Sequence, residues 1–345
     1  MIFKDLREVA DQFGIDGSQI EQLTAGLIHQ TYKVVGTQQS YVLQRVNTNV
    51  FKDGVQVIEN YKLIATHLRR KDLPIPYLKK TLDGNYWYEN SCGLWRAQEF
   101  IENSYTANAK SNKFVVIDAA KGYANYVRLL SDLDTNKVVP TIDRFHDLAY
   151  RYEQLQDALV RGLPERIAQS EELLKDIEDR KHYIAFYHRI LKDDAFKVRI
   201  MHHDCKLSNI LFDTNTKEVI CPIDLDTTMP GYFFSDLGDM IRSMISSADE
   251  NASPQDVTFD SEIYHGLVQG YLAGIGDEFS NEEQKSIHYS GLIMLYMQAI
   301  RFLWDHLLND KYYHIDFSGQ NFNRASNQLN LLKKLEAHID KEHLI

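Results

Sequence analysis

Apolar residues recur at helical spacing over residues 3–14, where Phe3, Leu6, Val9, Ala10 and Phe13 share one face. The pattern changes over residues 21–47. EQLTAGLIHQTYKVVGTQQSYVLQRVN is rich in Val, Tyr, Thr and Leu and is broken by Gly26 and Gly36. It predicts strand, glycine turn, strand, turn, strand. Helical spacing returns over 54–70 through Val57, Tyr61, Ile64 and Leu68. Leu73-Pro74-Ile75-Pro76 stops it, because a proline and the residue before it resist helix. Two further strands are expected, one over 77–81 and one over either 84–89 or 94–101. Beyond Ile101 the spacing is mainly helical, over 113–131, 146–160, 165–191, 232–247, 259–273, 281–308 and 321–341. One β island interrupts it between Ile200 and Ile223. The polar stretch ENSYTANAKSN, residues 102–112, reads as the boundary between a β-rich lobe (1–102) and a helical lobe (103–345).

Length agrees with two lobes, since 345 residues exceed one ordinary core. Hydrophobic residues make up 44% and charged ones 25%, which excludes disordered and coiled-coil classes. The net charge of −11, with no Lys/Arg block, argues against a nucleic-acid or anionic-membrane binder. Three cysteines without a Cys-x-x-Cys argue against a disulfide scaffold or zinc cluster and for a reducing compartment. The first fifteen residues carry early acids and no apolar signal core. No stretch approaches the ~18 apolar residues of a membrane span. A cytoplasmic protein, monomeric or weakly dimeric, is expected.

The β island carries the chemistry. It reads RIMHHDCKLSNILFDTNTKEVICPIDLDT. Phosphoryl transfer needs a carboxylate to orient and deprotonate a hydroxyl, hard oxygen ligands for Mg²⁺, and a cation near the transferred group. Asp204 suits the first role, Asn209 and Asp224 the second, and Lys206 the third.

His202-His203-Asp204-x-x-x-x-Asn209, then Ile223-Asp224 and Asp236-Leu237, resembles the aminoglycoside phosphotransferase and choline kinase branch of the protein-kinase-like superfamily. The resemblance implies an α+β, two-lobed kinase-like fold, with a small β-rich N-lobe that binds the nucleotide and a larger, mainly helical C-lobe. It implies ATP and Mg²⁺. Residues 24–31 then form the phosphate-covering loop, with Gly26 and Thr31, although only one glycine is present. The third strand, Tyr41–Val46, has no lysine. Arg45 is its candidate phosphate-directed cation, with Gln44 competing for that face by strand alternation. Glu59 is the candidate partner of Arg45. Glu99 and Ile101, near a hinge at 99–102, are placed to meet the adenine edge.

TAGLIHQTYKV, YVLQRVNTNVF, IENYKLIATHL, FHDLAYRY, IDLDTTMPGYFFSDLGDMIR and RFLWDHLLNDKYYHI are similar to the N-acetylhexosamine 1-kinases and their relatives, over roughly residues 20–335. That likeness implies phosphorylation of the anomeric hydroxyl of GlcNAc or GalNAc. It implies sugar contacts at Thr227, Arg301 and Tyr312, with His29 as a fourth. The chain departs from the pattern at His203, usually Gly or Asn, and at Cys205. It also departs at Asp224-Leu225-Asp226, which lacks a mobile glycine.

Other readings stay open. Asp226 assists the metal or the sugar, or serves as a cap or salt-bridge partner. Asp236 reads as an N-cap that also braces the loop. His146-Asp147 reads as loop packing, Cys205 as filler, and Trp87 and Trp95 as core. Tyr312, Tyr313 and Trp304 divide between core and sugar site, and Arg301 has Asp305 as a competing partner one turn on. Competing functions are a kinase for choline, homoserine or an aminoglycoside, and an inactive nucleotide-binding protein of the same fold. A protein kinase is disfavoured by the lack of an Ala-Pro-Glu segment.

Overall fold

The N-terminal sheet follows the β pattern. β1 (Gly17–Leu23), β2 (Gln30–Gly36) and β3 (Tyr41–Arg45) pair antiparallel in succession. The computed structural model describes residues 3–23, 28–108 and 112–345, so the turn with Gly26 lies outside the described residues. The helix α1 (Phe3–Gln12) precedes the sheet. The helix α2 (Gly54–Arg69) starts at Asp53, whose carboxylate accepts the Gln56 N–H at 2.9 Å. β4 (Leu78–Lys79), β5 (Tyr88–Asn90) and β6 (Gly93–Glu99) complete the order β1-β2-β3-β6-β4, with β5 on β6. Of the two candidate segments for the last strand, 94–101 is mostly β6, and 84–89 is strand only at its end, where β5 begins. Gly93, at φ 131°, makes the tight reversal between them.

Register divides this sheet into two faces. Tyr32, Leu43, Trp95 and Ala97 pack with Val9 of α1 and with Phe13 just beyond it in a buried core. The other face carries a polar row, because Thr31 pairs with Gln44 and Gln44 with Arg96. A further strand, β7 (Ser104–Thr106), lies inside the polar stretch expected to be a linker. Its Tyr and Thr suit a strand, and it pairs with a later one.

Two compact units emerge. One comprises Met1–Thr106, Leu129–Asp143 and Ser208–Pro230, and the other Ala107–Arg128, Arg144–Leu207 and Gly231–Ile345. The second unit is helical. It contains nearly all of α3 (Lys113–Leu129), then α4 (Leu148–Arg161), α5 (Pro164–Gln169), α6 (Glu171–Glu178), α7 (His182–Ile190) and the short strand β8 (Arg199–Met201). In the first unit, β9 (Ile210–Asp213) pairs with β7 and with β10 (Val219–Pro222). The second unit continues with α8 (Phe234–Met244), α9 (Ser261–Ile275), α10 (Asn281–Lys285), α11 (Tyr289–Leu307) and α12 (Gln320–Glu342).

Two expected helices are broken. The stretch 165–191 is divided at Ser170, whose buried hydroxyl turns back to the Arg166 carbonyl at 2.7 Å, and again at 179–181. The stretch 281–308 is divided at 286–288, after a short helix started by a Ser280–Glu283 capping box. Among the described residues, no helix is long and apolar enough to cross a membrane.

α11 is buried over almost its whole length, and α8 passes close to it. A Cβ at Gly238 would lie 2.4 Å from the Ser290 carbonyl oxygen and 2.8 Å from Met294 Cβ. Gly238→Ala must therefore push the two helices apart. We expect a loss of about 1–3 kcal/mol from overpacking, read as a lower melting temperature. An unchanged melting temperature would contradict this close approach.

Candidate active site

In the second unit β8 runs into His202-His203-Asp204-Cys205-Lys206. Asp236 holds the start of this loop. Its Oδ2 accepts the His202 N–H at 2.9 Å, and its Oδ1 accepts the His203 N–H at 2.8 Å. Burial pushes the Asp236 carboxyl up, and the charge of His202 and these two hydrogen bonds oppose that shift. Asp236 is the expected brace, but it is not the N-cap. Phe233 holds the cap position without a side-chain bond, and Asp236 falls within the first turn of α8. His203 bends the chain at φ 66°, and its ring fills the space a side chain at Gly231 would need, 2.5 Å from Nε2.

Asp204 comes next. Its Oδ2 accepts a hydrogen bond from Lys206 Nζ at 3.0 Å. Tyr123 Oη fixes Lys206 by donating to its carbonyl at 2.9 Å. Burial works against the Asp204 charge, but Lys206 outweighs it and holds the carboxyl below its ordinary range. Asp204 is thus an ionised carboxylate at neutral pH, with an ammonium beside it. Cys205 is fully buried, and burial pushes its thiol well up, so its part is packing.

In the first unit, the Ile223 N–H donates to the Asn209 carbonyl at 2.9 Å. Ile210 pairs with Pro222, so Asn209 and Asp224 sit at the same end of the β9–β10 pair. Asp224 is left-handed, at φ 60° and ψ 57°, an uncommon conformation for a residue with a side chain. Two residues on, Asp226 is 2% exposed and lies against the polar row of the sheet. Arg96 Nη1 and Nη2 donate to its two oxygens at 2.6 and 3.0 Å. Gln44 Oε1 accepts from Arg96 Nε and Nη2 at 3.0 and 2.8 Å, and Gln44 Nε2 donates to Thr31 Oγ1 at 3.2 Å.

His29, Asp224 and Asp226 bring donor atoms within 4.8 Å of one another, a spacing that suits a cation. The hydrogen bonds narrow the set. His29 Nδ1 accepts the Asn47 N–H at 3.0 Å, so the ring proton sits on Nε2 and is donated to Asp226 Oδ2 at 2.7 Å. Both nitrogens of His29 and both oxygens of Asp226 are thereby engaged. Asp226 is a salt-bridge partner, and His29, expected at the sugar, orients it. Asn209 and Asp224 carry oxygen atoms of the hard kind that divalent ions take.

Three expectations for the nucleotide face change. Arg45 points to the α1 side of the sheet, where Nη1 donates to Gln30 Oε1 at 3.3 Å. Glu59 takes Lys62 at 2.8 Å, so the expected Arg45–Glu59 pair does not form. Strand alternation is the reason, and Gln44 holds the face of Asp226. The buried cation of that face is Arg96, which sequence reasoning missed. Its one signal was an arginine inside the otherwise apolar run Leu94-Trp95-Arg96-Ala97. At the hinge segment the Glu99 N–H is spent on the Tyr77 carbonyl and its carboxylate on Arg69, while the Ile101 carbonyl accepts from Ser104 Oγ at 2.6 Å.

Of the residues expected at the sugar, Thr227 belongs to the first unit and Arg301 and Tyr312 to the second. Thr227 is buried in the turn Leu225–Thr227 of the first unit. Arg301, on α11, donates Nη1 to Gln298 Oε1 at 3.0 Å. Asp305 is not its partner, because it accepts the N–H groups of Lys311, Tyr312 and Tyr313. Tyr312 is 52% exposed, its ring edge-on to Trp304.

Residues 19–276 match the model of the phosphotransferase enzyme family. The chain belongs to that family. The fold of this phosphotransferase is protein-kinase-like, α+β, with a small antiparallel sheet and a larger helical part. Solved structures share it at low identity. An amicoumacin kinase in complex with AMP-PNP, Ca²⁺ and Ami superimposes with a TM-score of 0.64 at 13% identity, covering 96% of this chain and 93% of that one. A spectinomycin phosphotransferase in complex with ADP and spectinomycin gives 0.63 at 13% identity, over 96% and 98%. A choline kinase from Streptococcus pneumoniae gives 0.60 at 13% identity, over 96% and 98%.

Asp226 gives this phosphotransferase an acid limit. Burial opposes its charge, yet Arg96 and His29 hold the carboxyl far below its ordinary range. A depressed folded pKa contributes stability that is fully present above the unfolded value, ~3.9, and is lost as pH falls toward the folded value. Asp226→Asn should flatten that loss below about pH 4. At neutral pH it should cost about 3–5 kcal/mol, because Arg96 is left buried without its counter-charge. Thermal melts of both proteins across acid pH test this. Parallel pH profiles would count against it.

Proposed function

We propose that the protein is an ATP-dependent small-molecule kinase that phosphorylates the anomeric hydroxyl of an N-acetylhexosamine, GlcNAc or GalNAc. The observation that carries the reading is Asp204, held ionised beside Lys206 in a loop braced by Asp236, in a chain of the phosphotransferase family.

The chemistry follows from those groups. The acceptor oxygen attacks the γ-phosphorus of ATP, and its proton passes to an Asp204 oxygen. The new O–P bond forms as the bond to the ADP oxygen breaks. Asp204 has a depressed pKa, so its main work is to orient the hydroxyl and take the proton late, as negative charge leaves the acceptor oxygen. Lys206 offsets charge on the phosphoryl oxygens. Asn209 and Asp224 would hold Mg²⁺, whose part when bound is to neutralise the phosphate oxygens. Thr31 and Gln44, on the Asp226 face, replace Arg45 in the reading of the nucleotide side. Presence of Asp204, Asn209 and Asp224 together favours an active kinase over an inactive binding protein.

For the acceptor, Thr227, Arg301 and Tyr312 are the proposed sugar contacts. Among the described residues Arg301 has no carboxylate partner. A guanidinium of this kind favours a hydroxyl-rich or acyl acceptor and repels a cation such as choline or an aminoglycoside.

An acceptor panel tests the reading: GlcNAc, GalNAc, other hexoses, choline and homoserine, each with ATP and Mg²⁺, followed by ADP release. N-acetylhexosamines should turn over fastest, and Asp204→Asn should lower kcat about 100-fold or more while ATP still binds. Faster turnover of choline or homoserine, or a fully active Asp204→Asn enzyme, would refute it. Arg301→Ala should raise the sugar KM on the order of ten-fold and leave the ATP KM near its original value. Loss of melting temperature with both KM values unchanged would make Arg301 a structural residue only.

A further inference from the structure

In the second unit two arginines are buried with no carboxylate partner among the described residues. Arg151 on α4 and Arg301 on α11 are 9% and 8% exposed. Arg151 donates Nε and Nη2 to the Phe145 carbonyl at 3.2 and 2.9 Å, and Nη1 to Gln154 Oε1 at 2.8 Å. Arg301 uses Nη1 on Gln298, and its guanidinium carbon lies 5.0 Å from the centre of the Phe145 ring. Neither bonds a carboxylate among the described residues. Asp239 and Glu250 pair with Arg242, at 2.7 and 2.8 Å, and not with either of these arginines, and the second Asp239 oxygen is buried without a hydrogen-bond partner.

The charge of Arg301 is felt at Arg151. Burial first, and then the charge of Arg301, pull Arg151 down to about 10. His146 stacks on Phe145 at 4.5 Å, and burial with the surrounding positive groups pushes it well down. The hydroxyl of Tyr313 is buried with no hydrogen-bond partner, in a ring 5.7 Å from the Arg301 guanidinium carbon. Two buried like charges and an unsatisfied donor are costly to a fold unless a ligand meets them. A neutral amide oxygen would occupy one donor and leave both charges uncompensated. An anion compensates both.

We propose that Arg151 and Arg301 form a subsite for an anionic substituent of the acceptor, a carboxylate or a phosphate, with the Tyr313 hydroxyl as a further donor. Its place ties it to the acceptor. His146 lies 5.0 Å, ring to ring, from His203, the residue that precedes Asp204. The subsite rests on reading that loop as the phosphoryl-transfer loop, and it refines the acceptor to an acidic member of the hexosamine class.

Calorimetric titration of the intact protein, with AMP-PNP and Mg²⁺ present, tests this with four probes: N-acetylglucosamine, N-acetylglucosaminuronate, N-acetylglucosamine 6-phosphate and inorganic phosphate. At least one charged sugar should bind about ten-fold more tightly than the neutral one, and whichever it is distinguishes carboxylate from phosphate. In Arg151→Gln that advantage should shrink to about two-fold or less. Should that variant fail to fold, Arg151→Lys and the wild-type preference decide. A neutral sugar that binds as well as both charged ones overturns the subsite and leaves the hexosamine reading standing. If no sugar binds but inorganic phosphate binds in an Arg151-dependent way, the subsite stands and the hexosamine reading falls. Phosphate binding that ignores Arg151, with no preference among the sugars, overturns the subsite.

Discussion

A charged pair with almost no access to water organises the first unit. Arg96 and Asp226 are 1% and 2% exposed, and each would be intolerable there without the other. Their bond joins the middle of the sheet to the turn that follows β10. It fixes Asp226, and Asp224 two residues earlier is held in its left-handed turn. Gln44 and His29 then complete the two side chains, so all three nitrogens of Arg96 and both oxygens of Asp226 have partners. Thr141 adds a bond from its hydroxyl to the Asp226 carbonyl at 2.6 Å. The metal-ligand candidate is thus aimed by a neighbour that has no room to titrate at neutral pH.

The second unit solves its own problem in a related way. A carboxylate buried in the first turn of α8 accepts two successive amides of the loop and so fixes where the loop begins. Asp204 and Lys206, further along the loop, keep part of their side chains open to solvent. Asp226 and Asp236 both serve by position, each committed to groups of the chain itself. The proposed chemistry falls to their neighbours.

The segment proposed as catalytic stands out in the sequence because its groups are neighbours in the chain. Asp204, Lys206 and Asn209 fall within six residues, and the apolar runs on either side mark the strand context. The N-terminal sheet and α2 were legible from periodicity. Arg96 was not, since its meaning depends on a partner far along the chain and on which face of the sheet it takes. The choice between Gln44 and Arg45 likewise required the register of β3 against β2 and β6. The polar stretch at 102–112 hid β7, because a three-residue strand earns its place from pairing with Phe212 and its neighbours rather than from its own pattern. The breaks at Ser170 and 286–288 were hidden for a similar reason: the apolar spacing runs on past them.

Three separate stretches of chain build the first unit, and this has a bearing on how the molecule comes into being. Arg96 leaves the ribosome 130 residues before Asp226 does. Until then the nascent sheet carries an unmatched guanidinium on the face it must bury, so the early chain has no completed lobe to settle into, and chaperones meet an unfinished sheet. The same arrangement constrains the exchange of parts between related enzymes. A chimera joined near residue 102 inherits the arginine from one parent and the aspartate from the other, and only parents that share both halves of the pair yield an intact lobe.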